Sequence, residues 1–260
     1  MGFLTDVLAQ TRRDLADRPL DLSALEAAAA ARPPARPWVA SLRHGSPSVI
    51  AEVKRASPSA GDIARGVDPV AQARAYEAAG AAAISVLTEP RHFGGSLEDL
   101  ARVRAAVQVP VLRKDFLIEP SQVLEARAAG ADAVLVIASA TDDAALLSLL
   151  ERAAELGMGV LLESHGDADL ERALATREEV VGVNARDLES LEVDVPAALA
   201  RLRRIPADRA AVLESGIASR ADAAAAVEAG ASAILVGEAL MRAPDPAAAL
   251  RRLRGEEADG

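Results

Sequence analysis

Cysteine is absent from this chain of 260 residues, and aromatic side chains are scarce, with one tryptophan, one tyrosine and three phenylalanines. A chain without cysteine builds neither a disulfide framework nor a thiolate metal site, and His44, His92 and His165 stand too far apart for a zinc motif. No metal or cofactor is expected. Long apolar runs are missing too: nothing approaches the roughly 18 uncharged residues of a membrane span, and the N-terminus MGFLTDVLAQTRRDLADRP mixes charges into its apolar positions, unlike a signal peptide. A soluble, cytoplasmic protein without membrane partners is expected. Positive charge is in deficit, and the net charge of −10 argues against nucleic acid as a partner. A local basic pocket for a small anion stays compatible with that balance. Lysine, ordinarily abundant, occurs only as Lys54 and Lys114, every other basic side chain being arginine, and Asn184 is the only asparagine.

What is present is a core and a repeat. Half of the residues (51%) are hydrophobic. From residue 48 onward, eight short β-branched runs alternate with alanine-, leucine- and arginine-rich segments of helical character: 47–54, 81–89, 109–116, 131–139, 159–165, 180–186, 210–216 and 231–237. Three junctions nearly repeat one another, AAGAAAISVL, AAGADAVLVIA and EAGASAILVG, each reading as a helix end, a glycine suited to the left-handed C′ position, and a strand. Eight βα units with strands apolar on both faces predict a closed (β/α)8 TIM barrel, an α/β fold. Residues 1–47 lie outside the repeat and predict a helical extension broken by the prolines of ARPPARPW. The reading is thus one domain over 1–260, with the extension at 1–47 and the barrel at 48–255. Since all eight strand signals lie beyond residue 40, removal of residues 1–40 is expected to leave the barrel folded.

In such a barrel the chemistry sits at the C-terminal strand ends, and polar residues collect there. Glu52 and Lys54 end the first strand, Lys114 the third, Glu163 and His165 the fifth, Asn184 and Arg186 the sixth, Glu214 and Ser215 the seventh. Alternation along a strand puts Glu52 with Lys54, and Asn184 with Arg186, on one face. A partly desolvated lysine near other cations has a lowered pKa and can deliver a proton or form an imine, which arginine cannot do; the competing reading is a solvated surface charge. Glu163 is equally a candidate acid–base group or a salt-bridge partner. The histidines are set aside as loop or core residues. Glycines 216 and 237, in LESGIAS and LVGEALM, stand where barrels often cradle phosphate after strands seven and eight; plain turn glycines are the alternative.

These stretches, with IAEVKRASPSAG (50–61), AYEAAGAAAISVLTEPRHFGGS (75–96), VLRKDFLIEP (111–120), LLESH (161–165) and VNARDL (183–188), resemble the indole-3-glycerol phosphate synthase family over nearly the whole chain. KRASPS and LRKDF carry most of the specificity. The resemblance implies ring closure, decarboxylation and dehydration of 1-(2-carboxyphenylamino)-1-deoxyribulose 5-phosphate, without cofactor or metal. It implies Lys114 as general acid, Lys54 as partner of the substrate carboxylate, and Glu163 as acid–base group. Glu52 and Asn184 would hold the lysines and the developing hydroxyl. Ser215, Gly216, Gly237 and the backbone of Glu238 fall at the phosphate positions, and Ser57, Phe93, Arg186 and Glu214 at substrate-binding ones. Two departures stand out, Ala60 where a lysine is frequent and Ala185 where asparagine is. The partner is then a phosphorylated small molecule, and the chain a monomer or weak homo-oligomer. Among rivals, phosphoribosylanthranilate isomerase usually relies on a cysteine that is missing here. A Schiff-base aldolase would show an imine on trapping, and an inactive barrel would have lost its strand-end polar groups.

Overall fold

The computed structural model describes residues 2–18, 20–45, 47–58, 61–64 and 66–256. Each of the eight expected runs holds one strand: β1 (Ser48–Val53), β2 (Ala83–Leu87), β3 (Val111–Lys114), β4 (Ala133–Ile137), β5 (Gly159–Ser164), β6 (Val180–Asn184), β7 (Ala210–Glu214) and β8 (Ala233–Val236). All neighbours are parallel, and β8 closes on β1 with Ser48 opposite Ala233 and Ala51 opposite Val236. Closure leaves the barrel no edge, so every strand is buried on both faces and reads as a continuous apolar run.

Local chemistry sets the joints. At Gly80, Gly130 and Gly230, φ is 87°, 101° and 100°, the left-handed conformation that glycine adopts without a Cβ penalty. The next amide reaches back five residues in each case, Ala81 to Tyr76, Ala131 to Ala126 and Ala231 to Ala226, all at 2.9 Å, closing the helix and turning the chain into the strand. Helices open with equal regularity: Asp68, Ser96, Asp142, Asp194, Ser219 and Asp245 each accept a first-turn amide. Such caps are worth about 1 kcal/mol each.

Two apolar layers result. One lies between strands and helices; the other is a column inside the barrel containing Ile50, Leu112, Leu135, Leu161 and Val212. The extension caps this column at both ends. Helix α1 (Phe3–Asp17) lies over the C-terminal mouth, held by the β6 loop: Phe3 N donates to Glu189 O at 3.2 Å and Leu4 N to Leu188 O at 2.9 Å. Helix α2 (Leu22–Ala30) packs Ala29 on Leu124 and Ala128 of the helix Pro120–Ala129. The short helix α3 (Trp38–Ser41) plugs the opposite end, the floor. Its Trp38 is 3% exposed, donates Nε1–H to Val160 O at 3.1 Å, and occupies space that a Cβ at Gly159 would enter, 2.5 Å from the indole. Arg36 N adds a bond to Asp132 Oδ1 at 2.8 Å.

Residues 1–40, expected to be removable with the barrel still folded, supply a cover for its mouth and also its floor. A strand-centred reading missed it because Trp38 belongs to no strand yet fills the strands' common interior. Trp38→Ala is expected to cost about 3–5 kcal/mol, the usual loss for a large buried aromatic. Urea unfolding measures it, and a loss below about 1 kcal/mol would return the segment to peripheral packing.

Candidate active site

A cavity of about 490 Å³ opens at the C-terminal strand ends beneath α1. Glu52, Lys54, Ser57, Phe93, Lys114, Glu163, Asn184, Arg186, Glu214, Ser215, Gly216, Gly237 and Glu238 all line it. The period-two alternation that places Glu52 beside Lys54 and Asn184 beside Arg186 thus delivers them to one space.

At the bottom of the cavity lie three carboxyls almost sealed from water, Glu52 (3% exposed), Glu163 (0%) and Glu214 (1%). Lys54 Nζ is 3.0 Å from Glu52 Oε1, and Lys114 Nζ lies between Glu163 Oε2 (3.3 Å) and Glu214 Oε2 (3.4 Å). Glu163 and Glu214 share the single ammonium of Lys114, and burial disfavours a second negative charge beside it, so one carboxyl of that pair favours its protonated form. Burial, then the neighbouring charge of Glu163, raises the Glu214 carboxyl well above the ordinary range. A side-chain hydrogen bond with Glu163 and the charge of Glu52 act in the same direction, while Lys114 opposes them. Burial acts on Glu163 in the same sense, but Lys114 and then His165 overcome it and hold this carboxyl below its ordinary value. For Lys114, burial would lower the pKa, yet Glu163, Glu214 and Glu52 reverse the sign and raise it. The expected lowering by nearby cations is corrected here: the neighbours are anions. The surroundings thus favour the ammonium form of Lys114, the ionised form of Glu163 and the protonated form of Glu214.

Space for these groups comes from glycine. A Cβ at Gly237 would stand 2.5 Å from Glu52 Oε1, and one at Gly182 2.5 Å from Glu214 Oε1. Gly237, read as a phosphate glycine, thus also seats a carboxylate. Around the rim, Asn184 Oδ1 accepts Arg186 N at 3.0 Å, and the Arg186 guanidinium donates to Leu191 O at 2.9 Å. Ser215 and Gly216 have successive positive φ values of 65° and 72°, a bend that turns the chain sharply as β7 ends. The Glu238 side chain turns aside to Arg242 at 3.0 Å. Ala185 is packed in the strand–helix layer, on the face opposite Asn184, whereas Ala60 lies outside the described residues.

Some site residues escaped the sequence reading. Phe3 and Phe116 join the expected Phe93 at the mouth: Phe116 is 6.2 Å from Phe3 and 6.4 Å from Phe93 between ring centroids. Their scarcity was the available signal. His165, set aside as a loop or core residue, brings Nε2 to 3.0 Å from Glu163 Oε1, although off the line of a hydrogen bond. It stands two residues beyond Glu163, so the alternation already invoked elsewhere points it to the same face.

The family profile described as indole-3-glycerol phosphate synthase matches residues 4–253. The indole-3-glycerol phosphate synthase of a Nocardioides species is 52% identical over 99% of this chain and 100% of its own length; that of Mycobacterium avium is 49% identical over 96% and 93%. Among solved structures, a 3-hexulose-6-phosphate synthase covers 81% of this chain and 100% of its own (TM-score 0.64, 21% identity), and the phosphoribosylanthranilate isomerase of Thermotoga maritima covers 80% and 98% (TM-score 0.57, 17% identity). At those identities the two structures show the shared barrel alone. The match over nearly the whole chain and the identity to these sequence relatives show that the chain belongs to the indole-3-glycerol phosphate synthase family, the carboxy-lyases of tryptophan biosynthesis.

Proposed function

We propose that Lys114 is the general acid and Glu163 the general base of the family's ring closure, decarboxylation and dehydration. The observation that carries this reading is the Lys114–Glu163 pair at 3.3 Å on the cavity floor. As the ring carbon bearing the carboxylate bonds to the substrate carbonyl carbon, the carbonyl oxygen becomes an alkoxide, more basic than any amine. A lysine whose pKa is raised is still acidic enough for that acceptor, and its carboxylate neighbours keep it charged until then. The carboxylate then leaves as carbon dioxide, its electron pair returning to the ring. In the last step Glu163 accepts a proton from the methylene carbon beside the nitrogen, while Lys54 protonates the departing hydroxyl, which leaves as water. Before that, Lys54 pairs with the substrate carboxylate, and Glu52 at 3.0 Å orients the ammonium. Asn184 is a hydrogen-bond partner of the new hydroxyl.

The phosphate sits at Ser215, Gly216, Gly237 and the backbone of Glu238, while Ser57 and Arg186 line the path. With eight strands, β3 lies across the barrel from β7, so the substrate's aromatic end faces Phe93 and Phe116. The chain acts in the cytoplasm as a monomer or weak homo-oligomer, with residues 1–47 and the barrel at 48–255 working as one domain.

Supplying the carboxyphenylamino-deoxyribulose phosphate and following indole fluorescence tests the activity directly. Lys114→Arg keeps the charge but not the transferable proton, so single-turnover formation of the indole is expected to fall about 10²- to 10⁴-fold with substrate affinity little changed. Near-parental turnover would remove Lys114 from the role of acid. Inorganic phosphate is expected to raise the thermal midpoint and to compete with substrate, since a ligand of the folded state alone stabilises it. Noncompetitive inhibition would place the phosphate elsewhere.

A further inference from the structure

Glu89 follows β2, is 7% exposed and lines the cavity, yet none of the steps above uses it. Its carboxylate is engaged by the chain immediately beyond it. Oε1 accepts the N–H of Arg91 at 2.9 Å, and Oε2 accepts those of His92 at 2.7 Å and Phe93 at 3.2 Å. Three backbone donors converging on one carboxylate form an anion-binding turn that carries its own anion. Glu89 O also accepts Gly95 N at 3.0 Å, and Gly95 has no room for a Cβ, which would stand 2.1 Å from Leu87 O. The turn is therefore tied at both of its ends.

The three residues fixed by this carboxylate make different contacts. Phe93 lines the cavity near Phe116. The His92 ring meets Phe3 edge-on at 5.1 Å, and the Arg91 guanidinium is 2.9 Å from Asp14 on α1. One buried anion thus sets a wall of the cavity and the seat of the helix that covers it.

We propose that Glu89 is a positioning residue for the aromatic end of the substrate, folding residues 91–93 so that Phe93 forms the wall across from the phosphate and α1 is held over the mouth. The proposal rests on the substrate orientation given above. Glu89→Gln preserves the shape but replaces one accepting oxygen with an NH2 group that cannot accept an amide proton. KM is expected to rise about tenfold with kcat within about threefold, the signature of lost ground-state positioning. In a Phe93→Leu background the same change is expected to add less than about twofold, because the ring it positions is already gone. Full additivity would overturn the proposal. Glu89→Asp keeps the charge and shortens the reach, so it is expected to give the same ordering in milder form, including if the Gln variant fails to fold.

Amide exchange in the unliganded protein reads the turn without any turnover. The amides of Arg91, His92 and Phe93 are expected to be protected in the parent and in Phe93→Leu, and to exchange faster in Glu89→Gln. Unchanged protection in Glu89→Gln overturns the proposal whatever the kinetics show. Absence of turnover by the parent would instead defeat the assignment of substrate and leave the exchange data to decide the role of Glu89.

Discussion

Two deeply buried carboxyls, Glu163 and Glu214, share the one ammonium of Lys114, and the rest of the site is arranged around that shared contact. A carboxylate in such surroundings is stable only with a cation at hand, and Lys114 is stretched between two of them. One proton therefore stays in the cluster, and burial and Coulomb repulsion assign it to Glu214. The consequence is chemical. Lys114 and Glu163 stand paired at 3.3 Å, their surroundings favouring the ammonium and the carboxylate, before any substrate arrives. The paired carboxyls Glu163 and Glu214 are pushed apart in pKa by their environments, the first lowered and the second raised.

The barrel supplies what this cluster needs. Strand ends point the side chains inward from β1, β3, β5 and β7, and glycines 182 and 237 leave the room that the carboxyls fill. Rigidity comes from both ends of the interior column, Trp38 sealing the floor while the α1 segment and the Glu89 turn shape the mouth. An active site built on strand termini inherits the precision of the sheet, whereas the loops that complete it need anchors of their own. The Asn184–Arg186 contact after β6 and the Glu89 carboxylate after β2 are two such anchors.

Much of this was legible in the sequence, for identifiable reasons. The barrel was readable because parallel strands buried on both faces leave continuous apolar runs, and because the same glycine ends a helix in three junctions. The strand-end residues were readable from alternation, as with Glu52 and Lys54. Less accessible were properties that depend on what stands opposite. Whether Lys114 faces cations or carboxylates is decided by β5 and β7, some 49 residues away in the case of Glu163, and no local pattern near Lys114 encodes it. The same holds for Trp38, whose partners Gly159 and Val160 are separated from it by most of the barrel's first half. His165 was the avoidable omission, since the period of two that placed Glu163 applied to it equally.

The proton retained by the cluster is the claim on which the account turns, and it can be observed by carbon NMR of the glutamate carboxyls as pH is varied. The account predicts one buried glutamate, assigned to Glu214 by its disappearance in Glu214→Gln, that stays protonated well above the ordinary glutamate value of about 4.3, while Glu163 remains ionised below it. The sign carries over to stability. A carboxyl raised in the folded state contributes stability that is fully present below its unfolded value and is lost as pH rises through the folded one, so the parent should weaken with rising pH relative to Glu214→Gln. A Glu214 that titrates near the ordinary value would contradict the account, because Lys114 would then be shared by two buried charges.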